Sequence, residues 1–332
     1  ISHLKLGRYI LAAALTTPSA TNTTYWRRLL GYQTTHGDNP TGANRPTIAT
    51  NGNAINAITV STAGWELRNL IFDGSGVTKG LIGINITSTD ASAINCKTTG
   101  FATRGVHLGS NQNMVFNSEV ASGSGTAEGV RLAADAAVLY CWIHDNPGHG
   151  INCNGTVHHS IIGNILSNNT GASTDGINQS GGYMDLILNN VLYANGRDGI
   201  RWTAAYLQLA TILQNNIFMN NGGYGLNCSG AQASAYIGFA YNAFLGNTSG
   251  ARNVILAGTG DVTLTVDPFT SAAGNDFSLN NTAGGGAALR ALGYPGSLPT
   301  GATVGYLDIG AAQHAEPADT DRAASLVNGG LV

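Results

Sequence analysis

The sequence predicts an all-β chain wound as a parallel β-helix, a single-stranded solenoid, on three observations: a glycine-led strand motif, two asparagine ladders that share its register, and a surface almost without charge. The motif is Gly, an aliphatic residue, a polar residue and a second, mostly apolar one. It occurs at Gly83-Ile84-Asn85-Ile86, Gly105-Val106-His107-Leu108, Gly129-Val130-Arg131-Leu132, Gly150-Ile151-Asn152-Cys153, Gly176-Ile177-Asn178-Gln179, Gly199-Ile200-Arg201-Trp202 and Gly225-Leu226-Asn227-Cys228, at intervals of 22, 24, 21, 26, 23 and 26 residues. Asn164, Asn190, Asn216 and Asn242 are 26 apart, and Asn169, Asn195, Asn221 and Asn247 repeat that spacing five residues later. Strand alternation at a period of 21–26, with no helical periodicity, makes each repeat one coil stacked on the next by main-chain hydrogen bonds.

Composition agrees. Of 332 residues only 10% are charged, whereas 46 are Gly and 34 Asn, so amides and hydroxyls must solvate the surface. A solvated helical bundle is excluded, and 43% hydrophobic residues exclude disorder. A net charge of −3 with no basic run excludes a nucleic-acid partner. No apolar run approaches the roughly 18–20 residues of a membrane-spanning helix, so no membrane insertion is expected. There is no charged start followed by an apolar stretch and a cleavage site, and a chain opening at Ile1 inside a strand-like segment reads as mature or truncated.

Along the chain, residues 1–74 read as N-terminal coils with a loop projecting at 33–46, rich in Gly, Asn, Thr and Pro. Residues 75–250 are the regular repeats, 251–314 hold C-terminal strands expected to cap the last open coil, and 315–332 form a small, polar tail. Within the motif, side chains one and three after Gly point inward and the one two after points outward. The inward set is mostly apolar, with Gln179 the exception. The glycines themselves are expected at a turn needing positive φ. The asparagines are expected to stack at another turn through amide hydrogen bonds. Cys96, Cys141, Cys153 and Cys228 lack zinc-site spacing and read as buried thiols. Cys153 and Cys228, three coils or roughly 14 Å apart, are too distant for a disulfide.

The chemistry concentrates in two columns. Residues preceding the glycines (Arg104, Glu128, His149, Asp175, Asp198, Tyr224) should stack into one stripe, and those two after (His107, Arg131, Asn152, Asn178, Arg201, Asn227) into its neighbour. With coils about 4.8 Å apart, Asp175 and Asp198 fall near the carboxylate separation of about 5–5.5 Å found in retaining glycosidases. Glu128 and Asp175, two coils or roughly 9.6 Å apart, fall near the inverting range of about 6.5–9.5 Å. Neighbouring carboxylates repel, which raises one pKa and sets an acid beside a base. Glu128, His149, Asp175, Asp198 and Arg201 are therefore the candidate catalytic set, and Arg131, Asn152, Asn178 and Tyr224 the candidate ligand-binding residues. The same residues also read as ordinary turn residues, with Arg131 and Arg201 neutralising nearby acids. His159 and Asp185, 26 apart, read more simply as a surface hydrogen bond than as a catalytic dyad. Tyr183, Tyr193, Tyr206 and Tyr224 are candidate aromatic surfaces for sugars. No metal or cofactor is called for.

Over roughly residues 50–250 the coil repeat resembles the right-handed parallel β-helix proteins, the group that includes pectate-lyase-like enzymes, secreted bacterial proteins and phage tail proteins. Leu30-Gly31-Tyr32-Gln33-Thr34-Thr35-His36-Gly37-Asp38 with Arg45-Pro46-Thr47-Ile48 is similar to their opening coil. Val266-Asp267-Pro268-Phe269, Asn275-Asp276-Phe277-Ser278-Leu279 and Asp308-Ile309-Gly310-Ala311 are similar to their closing segment. The resemblance implies a right-handed coil and an extracellular, cell-surface or virion location. Polygalacturonase-like hydrolases carry Asn-Thr-Asp, Asp-Asp and Gly-His-Gly in that order, but here Gly148-His149-Gly150 precedes Thr174-Asp175-Gly176. The calcium-binding acidic cluster of pectate-lyase-like chemistry is missing, and of the three lysines (Lys5, Lys79, Lys97) none lies on the stripes. The favoured expectation is a structural or adhesive surface protein that binds a glycan and self-assembles as a trimer or end to end. The alternative is a polysaccharide lyase or glycoside hydrolase working through the acidic stripe.

Overall fold

A computed structural model describes residues 2–18, 27–155, 158–181, 184–203, 211–228, 237–294 and 307–313. The chain forms three parallel sheets that run the length of a solenoid, each coil giving one strand to each sheet. Sheet A has ten strands, from Ser2–Lys5 to Ile237–Ala240, and sheet B eleven, from Arg8–Ile10 to Val262–Thr263. Sheet C has ten, from Leu15–Thr16 to Gly250–Asn253, and carries the glycine motif. Its register aligns the repeats as expected: Val130, Ile151, Ile177, Ile200 and Leu226 are successive partners and all are buried. None of the described helices is long and apolar enough to cross a membrane.

Two corners turn each coil. Between sheets A and B the chain passes through the left-handed region at Asn69, Asn95, Asn117, Tyr140, Gly163, Asn189, Asn215 and Tyr241. Asparagine and glycine tolerate that conformation best, which accounts for most of this column. The next residue in each coil points inward, and from Asn164 to Asn242 these residues build the first ladder. Asn190 Nδ2 donates to the Ile161 carbonyl at 2.8 Å and to Asn216 Oδ1 at 2.9 Å, while its Oδ1 accepts from the backbone and side-chain nitrogens of Asn164 at 2.9 and 3.0 Å. Cys141 precedes Asn164 in this column, its backbone N–H bonded to Asn164 Oδ1 at 2.8 Å, and Asp261 follows Asn242. The second ladder runs through the corner after sheet B, from Asn146 to Asn247. The four cysteines are buried, as expected.

The repeat glycines serve a different purpose from the one expected. None of the seven has positive φ. A Cβ on Gly150 would lie 2.6 Å from the Gly176 carbonyl oxygen, on Gly176 2.7 Å from that of Gly199, and on Gly199 2.6 Å from that of Gly225. Close approach of one coil to the next selects glycine here, not backbone handedness.

The first part of the C-terminal segment closes the last coil as expected, and the rest takes a different course. Val262–Thr263 extends sheet B, while the described residues from the hairpin Phe269–Ser271/Asp276–Leu279 onward pack elsewhere. Leu264, Phe269, Phe277, Leu279, Leu289 and Ile309 pack on Val191, Ile217 and Ala243, which project from the outer face of sheet B. Isoleucine or valine at these outward positions leaves an apolar strip that must be covered. The end itself is closed by Ile255 and by the Arg252 guanidinium, 4.3 Å from the Phe244 ring centroid and held by Asp261 at 2.5 Å. Near the other end, residues 33–46 fold back against the solenoid: Arg45 is buried and its Nη1 donates to the Asn95 carbonyl, and Asn95 Nδ2 donates to that of Pro40. The tail at 315–332 lies outside the described residues.

Candidate functional site

The outer face of sheet C brings the two expected stripes into one hydrogen-bonded band. At one end Glu128 accepts from Arg104 Nε at 3.0 Å and from Asn152 Nδ2 at 2.5 Å, with Arg131 Nη1 3.7 Å away. Asn178 Nδ2 continues the line to Asn152 Oδ1 at 3.1 Å. Further along, Asp198 accepts from Arg201 Nη1 at 3.1 Å, from Asn227 Nδ2 at 2.7 Å and from the Tyr224 backbone at 2.7 Å.

Asp175 and Asp198 do lie on adjacent coils, the backbone N–H of Asp198 reaching Asp175 Oδ1 at 3.2 Å. Neither carboxylate is displayed: their side chains are 0% and 1% exposed. Arg197 grips Asp175 with two bonds, Nε to Oδ1 at 2.8 Å and Nη2 to Oδ2 at 2.6 Å, and its Nε lies 3.8 Å from Asp198. The repulsion between the two acids is thus met by a guanidinium between them. Arg197 was missed in the sequence because it falls one residue outside both stripes. The signal for it was the Arg197-Asp198 dipeptide one coil after Asp175.

His149 sits beside Asp175. Burial holds its pKa below the ordinary value against the opposing pull of Asp175 and Glu128, with Arg197 adding to the depression. Its Nδ1 accepts the Asp175 backbone N–H at 3.0 Å, which places the ring proton on Nε2. The 3.4 Å approach of Nδ1 to Asp175 Oδ2 is then a contact and not an ion pair. His107, one of the outward residues, is pushed down to about 4 by burial and by Arg104 and Arg131.

That depression has a stability consequence. The unfolded imidazole takes up a proton near pH 6.5 and the folded one only near 4, so the stabilisation is present above 6.5 and is lost as pH falls through this window. The slope for one group is at most about 1.4 kcal/mol per pH unit. His107→Gln is expected to flatten the decline between pH 7 and 4.5, leaving a shallower one from His149, as read by urea denaturation at each pH.

One expectation is corrected by the interior. His159 and Asp185 are direct partners at 3.0 Å, but both are buried inside the solenoid, not on its surface. Gln179, the inward exception, completes this group by donating to Asp185 at 2.7 Å. Among the aromatic candidates, Tyr193 packs edge-on against Phe277 beneath the C-terminal segment, and Tyr183 and Tyr206 lie outside the described residues. Tyr224 is half-buried beside the band. Among the described residues no three His, Cys, Asp or Glu side chains are placed to hold a metal ion.

The family model described as a right handed beta helix region matches residues 82–265. The chain belongs to the right-handed β-helix family. This β-helix is similar in structure to pectate lyase Pel9A, with a TM-score of 0.61 at 14% identity over 94% of this chain and 87% of that one. It is also similar to the A-module of the mannuronan C-5 epimerase AlgE4 of Azotobacter vinelandii, with a TM-score of 0.52 at 17% identity over 84% and 76% of the two chains. The β-helix matches no curated protein sequence. At these identities the likeness to solved structures is one of fold.

Proposed function

We propose that this β-helix is an extracellular or virion-surface structural and adhesive protein that holds an acidic glycan along the outer band of sheet C. The observation that carries the reading is the layering of charge. Asp175 and Asp198 are covered, while the guanidiniums that pair with them, Arg197 and Arg201, remain 29% and 23% exposed. The carboxylates act from beneath as anchors that orient the arginines, whose remaining N–H groups suit carboxylate or sulfate on a sugar. Because coils repeat at about 4.8 Å, the donors form rows along the axis rather than a single pocket. Tyr224 lies in the same rows, and Asn152 and Asn178, buried beneath them, tie the rows to Glu128.

The alternative, a polysaccharide lyase or glycoside hydrolase, would draw on Glu128, His149, Asp175, Asp198 and Arg201. What favours it is the convergence of His149, Asp175 and Arg197 at one point of the band. What weighs against it is that Asp175 is fully paired and that the Nδ1 lone pair of His149 is already engaged.

Incubation with acidic and neutral polysaccharides, following reducing ends, unsaturated-product absorbance and retention together, separates the two. Retention of acidic polymers without cleavage is expected, weakening with salt because exposed charges are screened. An Arg131→Gln/Arg201→Gln double variant should bind them at least about tenfold more weakly, each charge-assisted bond being worth roughly 1.5–3 kcal/mol. Cleavage abolished in Asp175→Asn/Asp198→Asn would overturn the adhesive reading in favour of the enzyme.

A further inference from the structure

The outer face of sheet A presents two rows of side chains along the solenoid axis, over the seven strands from Ala91–Ile94 to Ile237–Ala240. In one row Ile94, Phe116, Leu139, Ile162 and Leu188 are successive partners. The other runs through Met114, Ala137, Ser160, Leu186 and Ile212. Neither row holds a charged residue. Charge stops one strand earlier, where Arg68 Nε donates to Glu66 Oε1 at 2.7 Å.

Elsewhere the outward residues of the solenoid match what lies on them. Sheet B presents Val191, Ile217 and Ala243 beneath the C-terminal segment, but Lys97, Thr99 and Glu119 where it meets water. Sheet C, open along its band, presents polar residues. Sheet A has the covered pattern, yet no described residue covers it. Met114-Val115-Phe116 and Leu186-Ile187-Leu188 are apolar on both faces of the strand, the run that marks a parallel strand buried on both sides. Leu186 and Ile212 are nonetheless 37% and 38% exposed, and Tyr140 at the adjoining corner 48%.

The face also limits what can cover it. Seven strands at about 4.8 Å and four residues at about 3.3 Å make it about 29 Å long and 13 Å wide. Tyr140, edge-on to Phe116 with centroids 5.8 Å apart, and Tyr294, whose backbone N–H donates to Asn215 Oδ1 at 2.6 Å, extend it along the corner with sheet B. Side-chain relief and these rings carry the accessible area above that plan area, toward the about 800 Å² per partner of a stable pair. A glycan finds few partners here, because Ser92, Ser160 and Gln214 are the only hydrogen-bonding side chains in the two rows. A charged partner gains nothing from a face without charge. The sequence after Gln313 has no aromatic residue and carries Glu316, Asp319, Asp321 and Arg322, which suits water better than this face. The ridges recur at the coil spacing of about 4.8 Å, and a surface of the same pitch, which a second copy supplies, lets them interlock.

We propose that two copies of this chain pack sheet A against sheet A about a two-fold axis, closing a dry layer about 10 Å thick as in a β-sandwich. The pairing uses no residue of the sheet C band, so it stands or falls apart from the glycan reading.

Sedimentation velocity and light scattering of the full chain at micromolar concentration are expected to give the mass of two chains. Leu186→Lys/Ile212→Lys removes two apolar side chains from each copy and sets like charges across the axis. It should raise the dissociation constant at least about 100-fold and give a monomer, with a thermal melt checking the fold. Leu186→Thr/Ile212→Thr keeps strand-forming residues at both positions, serves where lysine prevents folding, and should weaken pairing about tenfold. Arg131→Gln/Arg201→Gln should leave the mass unchanged. A monomeric full chain overturns the proposal, whether lipid, another protein or the chain's own tail then occupies the face. So does a dimer that the sheet A variants leave intact, or an assembly of three copies, whose contacts join two different faces.

Discussion

Replacing Asn190 by leucine is expected to destabilise the solenoid by about 2–3 kcal/mol, although the two side chains have nearly the same size. Asn190 has no exposed surface. Its amide group takes part in four hydrogen bonds, two donated and two accepted, all to main-chain or side-chain groups of adjacent coils. Leucine leaves the Asn164 backbone N–H without the acceptor it uses here, while the Ile161 carbonyl loses the amide but stays in the sheet A ladder. Each buried polar group orphaned in this way costs about 1–3 kcal/mol. The remaining partners keep a second bond, Asn164 Nδ2 to the Val138 carbonyl and the Asn190 backbone N–H to Asn216 Oδ1, so one group is orphaned and the other bonds are only lost. Urea denaturation followed by circular dichroism measures the change, and a loss under 1 kcal/mol would mean that the ladder decorates the corner without holding it.

The same ladder shows why so much of the fold was legible. Asn190 and Gly176 are each constrained by a single event per coil, an amide bridging two turns and a carbonyl approaching from the next strand, and such events repeat at the coil length. Periodicity alone therefore located the coils, the inward positions and the members of the band. It did not give depth. Asp175 and Arg201 were both placed on the outer face, but whether a side chain lies under or over its partner depends on Arg197, a residue outside the period. Nor did it give the fate of the C-terminal segment. Val191, Ile217 and Ala243 directly follow ladder asparagines at the same spacing of 26, yet only the orientation of sheet B makes them an outward apolar strip to be covered. His159 was misjudged for the reverse reason: polar residues at the start of a strand read as surface, and the turn of the chain after sheet C puts this one inside.

That interior group leads to the second large effect. Asp185→Leu is expected to cost about 3–5 kcal/mol, because the carboxylate is the common acceptor for the His159 backbone N–H, for His159 Nδ1 and for Gln179 Nε2, and all three are buried. The cost measures broken pairing, not the net worth of the group. Among the described residues His159 Nε2 and Gln179 Oε1 meet no partner, so within them the network is incompletely satisfied. A partly satisfied buried network is less stable than an apolar core of the same volume. Replacing all three together, His159→Leu, Asp185→Leu and Gln179→Met, should therefore recover most of the loss from Asp185→Leu alone, against neighbours such as Cys153 and Trp202 that are already apolar. Denaturation midpoints of the single and triple variants decide it. If the triple variant is as unstable as the single one, the polar group fills a shape that hydrocarbon side chains cannot, and its role in the coil is packing rather than a tolerated interruption of the core.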